Sequence, residues 1–163
     1  MSISFIRVDD RMIHGQTCTR WALEYPCDGL IAVNDIAATT PVLKAAYKNA
    51  SGKKTFVWTH EEWQKKCHKV IESKDRYFLI TKDPISMAKI LVEDGFKPGI
   101  KEVIIGPCND RKGSIKLGNN QSITQEEANA LESIMQAGYN VEFALLKEEA
   151  TGNWKKFRGK FGF

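Results

Sequence analysis

Short apolar runs alternate with longer amphipathic stretches along most of this chain. Short runs rich in β-branched and aromatic side chains are typical of buried strands. They lie at residues 3–8, 30–33, 55–58, 77–80, 103–105 and 141–146. In the stretches between them, apolar residues recur three or four positions apart, as they do on one face of a helix. The pattern therefore predicts strands that alternate with helices.

Four of the predicted helices carry recognisable start signals. In each, a polar residue that can cap the first turn is followed by proline, or by glutamate three residues later. The pairs are Thr40 with Pro41, Thr59 with Glu62, Asp83 with Pro84, and Thr124 with Glu127. Glycines at positions 95 and 138 close the last two of these helices. An earlier helix is indicated by spacing alone, through Cys18, Trp21, Ala22 and Tyr25.

This alternation predicts an α/β fold with three layers, in which a mainly parallel twisted sheet of six or seven strands carries helices on both faces. A chain of 163 residues, 42% of them apolar, builds one core, so we expect a single domain over residues 1–163. Residues 106–122 break the rhythm. Their short pieces at 115–117 and 121–123 predict a hairpin at the edge of the sheet.

Bulk properties exclude several classes of protein. No apolar run approaches the roughly 20 residues of a membrane span, and the first ten residues lack the pattern of a signal peptide, so we expect a cytoplasmic protein. The four cysteines stand singly, which predicts neither a disulfide framework nor a thiolate metal site. The net charge of +4 is modest, although basic residues crowd positions 155–160. That cluster predicts either a solvated surface or a contact with an acidic partner.

Nucleotide and nucleic-acid binding find no support in the sequence. There is no GxGxxG or Walker loop, and no basic stripe interleaved with aromatic residues is evident. His60 and His68 are too far apart along one predicted helix to form a compact ligand set with Cys67. We therefore expect no nucleic-acid partner, no metal and no cofactor.

Three loops are candidates for a binding site. In parallel sheets, ligands bind at the carboxyl ends of strands, where loops lead into helix N-termini. The loops at residues 9–16, 81–83 and 106–110 follow the first, fourth and fifth predicted strands.

His14 stands in the chemically densest of these loops. A neutral imidazole is a competent nucleophile near pH 7. The main-chain N–H groups of Gly15, Gln16 and Thr17 begin the next helix, and helix N-termini favour bound anions. Arg11 adds a permanently charged, two-pronged donor for phosphoryl oxygens. The loop therefore predicts a histidine that accepts a phosphoryl group, against the alternative of a loop histidine that merely bonds to an aspartate.

Several neighbours have candidate roles that the residue types alone leave open. Asp9 and Asp10 are both suited to hold one ring N–H of His14 or to orient Arg11. Gly15 leaves room for tetrahedral oxygens near the backbone. The hydroxyl of Thr81 either faces the phosphate or caps its own loop.

The segment RVDDRMIHGQ at residues 7–16, followed by Trp21, closely resembles a known active loop. It is similar to RVDDRLIHGQV in the IIB components of the sugar phosphotransferase system (PTS), in the mannose/fructose/sorbose family. The resemblance continues in VND at 33–35, FLITKDP at 78–84, Gly106, and SITQEEANALESIMQAGYNVEF at 122–143. It thus covers nearly the whole chain.

The resemblance implies a protein-phosphohistidine sugar phosphotransferase that works beside the membrane permease. The histidine at the position of His14 would accept a phosphoryl group from a phosphohistidine of the IIA partner, on the ring nitrogen nearer the backbone. The membrane subunits IIC and IID would then present the sugar that receives the group. The family also places Arg11 against the phosphate and implies a contact from the loop that begins at Gly106.

The chain departs from this family pattern at several positions. Gly106, Pro107 and Cys108 stand where many relatives carry a glycine pair and a methionine, and residues 154–163 have no counterpart. Met12 replaces the usual leucine with little change of volume. A regulatory or binding protein of the same fold without phosphoryl transfer is the rival interpretation, and the intact His14 argues against it. The sequence does not identify the sugar or say whether the chain forms a homo-oligomer.

Overall fold

Strand order places the loop of His14 near the middle of a seven-stranded sheet. The computed structural model describes residues 2–15, 20–146 and 148–163. Its strands are β1 (Ile3–Val8), β2 (Gly29–Val33), β3 (Lys54–Trp58), β4 (Tyr77–Thr81), β5 (Glu102–Ile105), β6 (Ile115–Gly118), β7 (Gln121–Ile123), β8 (Asn140–Ala144) and β9 (Ala150–Asn153). The sheet has the order β3-β2-β4-β1-β5-β8-β9. Strand β9 runs antiparallel to β8, and the other neighbours are parallel.

Helices cover both faces of this sheet. In the described part of the chain they are α1 (Ala22–Glu24), α2 (Asp35–Thr39), α3 (Pro41–Ala50), α4 (His60–Glu72), α5 (Pro84–Ala88), α6 (Gln125–Gln136) and α7 (Trp154–Phe157). A π-helical turn at Lys89–Glu93 extends α5, and a 3-10 turn at Arg158–Phe161 follows α7. Helices α1 to α3 pack on one core and α4 to α7 on the other. The predicted three-layer α/β fold is confirmed, and none of the described helices is long and apolar enough to cross a bilayer.

Central strands are buried on both faces, which is why they appear in the sequence as nearly continuous apolar runs. In β1, Ile6 and Val8 enter the core beneath α4 to α6, whereas Phe5 enters the opposite core. Phe5 packs there against Phe78 of β4, with ring centroids 4.7 Å apart. Packing on both faces of the sheet thus fixes the position of β1, including the carboxyl end from which the His14 loop begins.

Most of the predicted helix starts have the expected geometry. Thr59 with Glu62 and Thr124 with Glu127 form reciprocal capping boxes at α4 and α6. The Asp83 side chain accepts a hydrogen bond from the Ser86 N–H at 2.8 Å at the start of α5. Thr40 precedes Pro41 as predicted, but its side chain makes no capping hydrogen bond.

Three local features differ from the sequence prediction. Helix α2 was not predicted, because its five residues are too short to show a periodic pattern; Asn34 caps it by accepting the Ala37 N–H at 2.9 Å. The hairpin of β6 and β7 forms as an antiparallel pair, but it is a separate ribbon, and β9 occupies the edge of the main sheet instead. The predicted helix through Trp21 is regular α-helix only over Ala22–Glu24 in the described residues, and Cys18 lies outside them.

The basic C-terminal segment is anchored by its apolar residues. Trp154, Phe157 and Phe161 are buried against α6 and β8. Arg158 donates to Glu132 from Nε to Oε1 at 3.0 Å, and this hydrogen bond lowers the pKa of Glu132 to about 2. One of the four clustered cations therefore has an acidic partner within the chain, while Lys155 and Lys160 are exposed.

Candidate active site

The three predicted loops meet at the carboxyl ends of β4, β1 and β5, in the middle of the sheet. The Asp9 N–H donates to the Thr81 carbonyl at 3.0 Å, and the Gly106 N–H donates to the Val8 carbonyl at 2.7 Å. The Asp10 N–H donates to the Pro107 carbonyl at 3.0 Å. These bonds extend the parallel pairing of β4, β1 and β5 beyond the strands, so they fix the start of the His14 loop.

A tight turn at residues 9–12 directs the chain toward His14. The Met12 N–H donates to the Asp9 carbonyl at 2.9 Å, and the Arg11 N–H donates to Asp9 Oδ1 at 2.9 Å. Met12 adopts a left-handed conformation with φ of 52°, which costs a residue with a side chain about 1 to 2 kcal/mol. Its side chain is fully buried, and this burial together with the two bonds holds the turn.

Asp9 fixes the ring of His14. The Nε2 atom of His14 lies 2.8 Å from Oδ2 of Asp9, which is fully buried. A carboxylate only accepts, so Nε2 carries the proton of this bond. In the neutral ring the lone pair then belongs to Nδ1, the nitrogen nearer the backbone. The His14 side chain is 17% exposed, which leaves its ring within reach of a second molecule.

Asp10 has a different role from Asp9, so the structure chooses between the two candidates. Its Oδ2 accepts the Asn109 N–H at 2.9 Å, which ties the His14 loop to the loop after β5. Its Oδ1 is buried and makes no hydrogen bond with any described residue. Burial raises the pKa of Asp10. The carboxylate that holds the His14 ring is Asp9.

Arg7 is a site residue that the sequence reasoning missed. It is 1% exposed, and its Nε donates to Oδ2 of Asp9 at 3.2 Å. Its Nη1 and Nη2 donate to the carbonyls of Ala144 and Leu145, each at 3.1 Å. Its Cζ lies 4.9 Å from the centre of the Trp21 ring. A charged residue inside an apolar strand, two positions before an aspartate on the same face, was the available signal.

The surroundings of Arg7 explain the glycine at position 106. A Cβ added to Gly106 would lie 2.6 Å from Arg7 Cζ, so only glycine leaves space for the guanidinium. The N–H of Gly106 is already donated to Val8. The structure therefore gives Gly106 a packing role, and the phosphate contact of its loop stays a prediction.

Buried charges control the ionisation of this group of residues. Burial raises the pKa of Asp9, but the hydrogen bond from His14 and the charge of Arg7 outweigh it, and the net pKa is lowered. Burial also lowers the pKa of Arg7, against the attraction of Asp9. A guanidinium nevertheless stays charged in proteins. Asp9 is therefore an ionised acceptor for the His14 ring.

The other predicted phosphate ligands differ in how the structure places them. The guanidinium of Arg11 is exposed and makes no hydrogen bond or ion pair with a described residue. A Cβ added to the exposed Gly15 would meet no described atom within 4 Å. The Thr81 hydroxyl donates to the Asp83 carbonyl at 2.9 Å, so it takes the loop-capping role of the two left open. Gln16 and Thr17 lie outside the described residues.

Known proteins are similar to this chain over nearly its whole length and not only in the His14 loop. The family model of the PTS system sorbose subfamily IIB component matches residues 3–162. The chain is 27% identical over 156 residues to the PTS system fructose-specific EIIB component of Bacillus subtilis, a match that covers 93% of this chain and 92% of that protein. It is 29% identical over 146 residues to the PTS system mannose-specific EIIAB component of Escherichia coli K12. That second match covers 87% of this chain but 44% of the relative, so the chain spans less than half of it.

A solved structure agrees with the fold. The IIBSor domain of the sorbose permease from Klebsiella pneumoniae superposes with a TM-score of 0.86 at 22% sequence identity, over 98% of each chain. The family model covers the His14 loop, both cores and the anchored C-terminal segment, so the expectation that residues 154–163 have no counterpart in the family is wrong for residues 154–162. The resemblance seen in the sequence is confirmed, and the chain belongs to the family of PTS sorbose subfamily IIB components.

Proposed function

We propose that this IIB component is a cytoplasmic phosphocarrier of sugar transport that works beside the membrane permease. A phosphorylated IIA protein donates a phosphoryl group to His14, and His14 passes it to a sugar that the IIC and IID subunits translocate. One observation carries the proposal: the His14 ring is held through Nε2 by a buried carboxylate, which is itself paired with a buried arginine.

The chemistry follows from the orientation of the ring. The lone pair of Nδ1 attacks the phosphorus of the donor phosphohistidine, and the N–P bond of the donor breaks with its electron pair returning to the donor ring. Positive charge grows on the His14 ring as the new N–P bond forms. The ionised Asp9, bonded to Nε2, stabilises that charge. In the second step, a sugar hydroxyl attacks the same phosphorus, the Nδ1–P bond breaks, and the hydroxyl proton passes to solvent.

Arg11 is the proposed clamp for the phosphoryl oxygens. Its backbone is fixed by the bond from its N–H to Asp9, three residues before His14, while its guanidinium is exposed to solvent. Because the main-chain N–H of Arg11 makes the bond that holds the turn, the guanidinium is not needed for that bond. The N–H groups of Gly15, Gln16 and Thr17 remain proposed partners for the same oxygens, on the strength of the sequence.

Arg11→Ala is expected to slow phosphoryl acceptance about 100-fold, a loss of roughly 3 kcal/mol of transition-state stabilisation. Arg11→Lys should recover only part of the rate, because lysine keeps the charge but loses the planar pair of donors. Rapid-quench transfer rates measure both effects. The unfolding free energies of the variants should stay within about 0.5 kcal/mol of wild type, since the side chain is exposed. A wild-type rate in Arg11→Ala would remove the clamp from the mechanism.

Asp9→Asn and Asp10→Asn form a matched pair that tests which carboxylate acts on the ring. Asp9→Asn should slow transfer about 10- to 100-fold, because a charge-assisted hydrogen bond of roughly 1.5 to 3 kcal/mol becomes a neutral one. Asp10→Asn keeps an oxygen that accepts the Asn109 N–H and should transfer within a few-fold of wild type. The same rapid-quench assay compares them. Equal loss in both variants would contradict the assignment of Asp9 as the acceptor of the ring proton.

A direct test uses the wild-type chain with a phosphorylated IIA protein of the same subfamily. Intact-mass spectrometry is expected to show the gain of one phosphoryl group. Phosphorus–nitrogen couplings in the NMR spectrum of the isotopically labelled product should place it on Nδ1 of a histidine. No gain of mass with a donor that phosphorylates another IIB protein would favour a regulatory or binding role for this fold.

A further inference from the structure

The net positive charge of the chain is concentrated around the β3 edge of the sheet. Residues 44–76, which include most of α3 and all of β3 and α4, carry nine basic and four acidic side chains. The rest of the chain carries fifteen basic and sixteen acidic side chains. This edge therefore has a net charge of +5, while the remainder of the molecule, including the His14 loop, is close to neutral.

A groove lined with aromatic residues lies within this positive region. It has a volume of about 310 Å³ and runs between the edge strand β3 and the second half of α4. Phe56 and Trp58 are half-buried along β3, and Tyr77 of β4 closes one side. Lys66 and Lys69 line the groove from α4. We call this surface, together with Lys54, the basic groove.

The lysines of the basic groove lie over the aromatic rings. The Lys54 Nζ atom is 5.5 Å from the centre of the Phe56 ring and 6.0 Å from that of Tyr77. The Lys66 Nζ atom is 5.1 Å from the Trp58 ring. The ammonium groups therefore lie over the ring faces, while the Lys54 and Lys66 side chains remain 54% and 43% exposed. The segment KKTFVW at residues 53–58 shows only part of this pattern in the sequence, because Lys66 and Lys69 come from α4.

The chemistry of the basic groove favours one occupant. Lysine ammonium groups beside tryptophan and tyrosine are typical of the boundary between lipid headgroups and acyl chains. Nucleic acids need open ring faces for base stacking, and here lysines cover those faces. We propose that the basic groove docks the protein on the surface of a bilayer that contains anionic lipids.

The position of the basic groove relative to His14 is consistent with this role. Trp58 pairs with Val33, Val33 with Thr81, and Thr81 with Val8, the residue before Asp9. This row crosses three strand spacings of about 5 Å each, so Trp58 lies roughly 15 Å from the start of the His14 loop. Lys54 and Tyr77 of the groove lie at the amino ends of β3 and β4, farther from the loop, so docking at the basic groove would hold the protein at the membrane surface without covering the loop.

Co-sedimentation with lipid vesicles tests the proposal on the full chain. Wild-type protein should bind vesicles of phosphatidylcholine mixed with phosphatidylglycerol and should bind pure phosphatidylcholine vesicles far less. Raising the salt toward 1 M should release it, because the Debye length falls to about 3 Å. The triple variant Lys54→Glu, Lys66→Glu, Lys69→Glu should lower the partition coefficient at least roughly 100-fold, since each basic residue near an anionic surface contributes about a factor of five.

A matched control separates this surface from net charge alone. The triple variant Lys112→Glu, Lys116→Glu, Lys155→Glu changes the charge by the same amount at exposed positions outside the basic groove. It should bind anionic vesicles within a few-fold of wild type, with both triple variants checked for folding by circular dichroism. Equal loss of binding in the two variants would overturn the proposal, and so would equal binding of wild type to neutral and anionic vesicles.

Tryptophan fluorescence gives a second readout at the groove itself. Trp21, Trp63 and Trp154 are at most 2% exposed, so Trp58 is the tryptophan whose surroundings change on docking. Anionic vesicles should shift the emission of wild type to shorter wavelength but should leave Trp58→Phe unshifted. A shift that persists in Trp58→Phe would place the docking face elsewhere. Tighter binding to a single-stranded oligonucleotide than to anionic vesicles would overturn the proposal in favour of a nucleic-acid surface. His14→Ala should bind vesicles like wild type, so vesicle binding is tested independently of phosphoryl transfer.

Discussion

His14→Ala and His14→Gln are both expected to accept no phosphoryl group from a phosphorylated IIA protein. Both substitutions remove the imidazole nitrogen that is the proposed nucleophile, on the ring that is bonded through Nε2 to Asp9. Intact-mass spectrometry after incubation with the donor is the measurement. A matched control is His68→Ala on the exposed side of α4, which should accept the group like wild type.

The two substitutions should differ in stability, which separates loss of chemistry from loss of fold. Alanine leaves Oδ2 of the buried Asp9 without the His14 donor and should cost about 1 to 3 kcal/mol of unfolding free energy. Glutamine offers an amide N–H to the same oxygen and should stay within roughly 1 kcal/mol of wild type. Denaturant titration measures this difference. Phosphoryl uptake that survives in both folded variants would move the acceptor to another residue.

The motif around His14 could be located from the sequence, but the partner of its ring could not. Asp9 and Asp10 are adjacent and of one residue type, so composition gives no basis for a choice. The choice follows from strand geometry: alternate residues share a face, so Asp9 continues the face of Arg7, and Asp10 turns toward the loop after β5. That outcome depends on where β1 ends, which the sequence defines only to within a few residues.

In the C-terminal segment, basic residues stand between aromatic residues that are buried in the structure. Trp154, Phe157 and Phe161 recur at helical spacing, but lysines and an arginine stand between them and favoured an interpretation as solvated surface. In the structure these rings are buried, and Arg158 pairs with Glu132 at the surface of α6. The apolar spacing was the better guide, because burial of three large rings outweighs the solvation of cations that can remain at the surface.

The apolar pattern of the sequence does not predict strand β9 or helix α2, because both elements are too short to show one. Strand β9 contains Ala150, Thr151, Gly152 and Asn153, of which only threonine favours a strand. It forms because β8 would otherwise be an open edge, and the main-chain groups of the chain that returns toward α7 pair with it. Tertiary contacts thus define the short elements, whereas the long periodic helices are defined by their own residues.

Arg7→Met is expected to destabilise the protein by about 3 to 5 kcal/mol at neutral pH, the usual cost of removing one partner from a buried ion pair. Methionine has a similar length but cannot neutralise Asp9 or donate to the carbonyls of Ala144 and Leu145. Phosphoryl acceptance should also fall in whatever fraction remains folded, because Asp9 loses the charge that keeps it ionised and oriented toward His14. Arg7 is thus a positioning residue.

The sign of the pH dependence distinguishes this explanation from simple loss of packing. In wild type, Arg7 and His14 lower the pKa of Asp9 against the effect of burial, so the contribution of Asp9 to stability is present above its unfolded pKa of about 3.8 and is lost as the pH falls through the lower folded pKa. Without Arg7, burial should raise the folded pKa, and protonation would then relieve the strain. The deficit of Arg7→Met relative to wild type should therefore be largest at neutral pH and shrink as the pH falls.

A double substitution and an exposed control complete the test of Arg7. Adding Asp9→Asn to Arg7→Met removes the unpaired charge, so the double variant should be more stable than Arg7→Met alone, even though each change is destabilising in the wild-type background. Arg20→Met breaks the exposed pair with Glu148 and should cost at most about 1 kcal/mol. Denaturant unfolding at several pH values measures the unfolding free energies of wild type, Arg7→Met, Asp9→Asn, the double variant and Arg20→Met. If Arg7→Met were as stable as Arg20→Met, or if Asp9→Asn failed to rescue it, the buried pair would not be what holds the His14 ring in place.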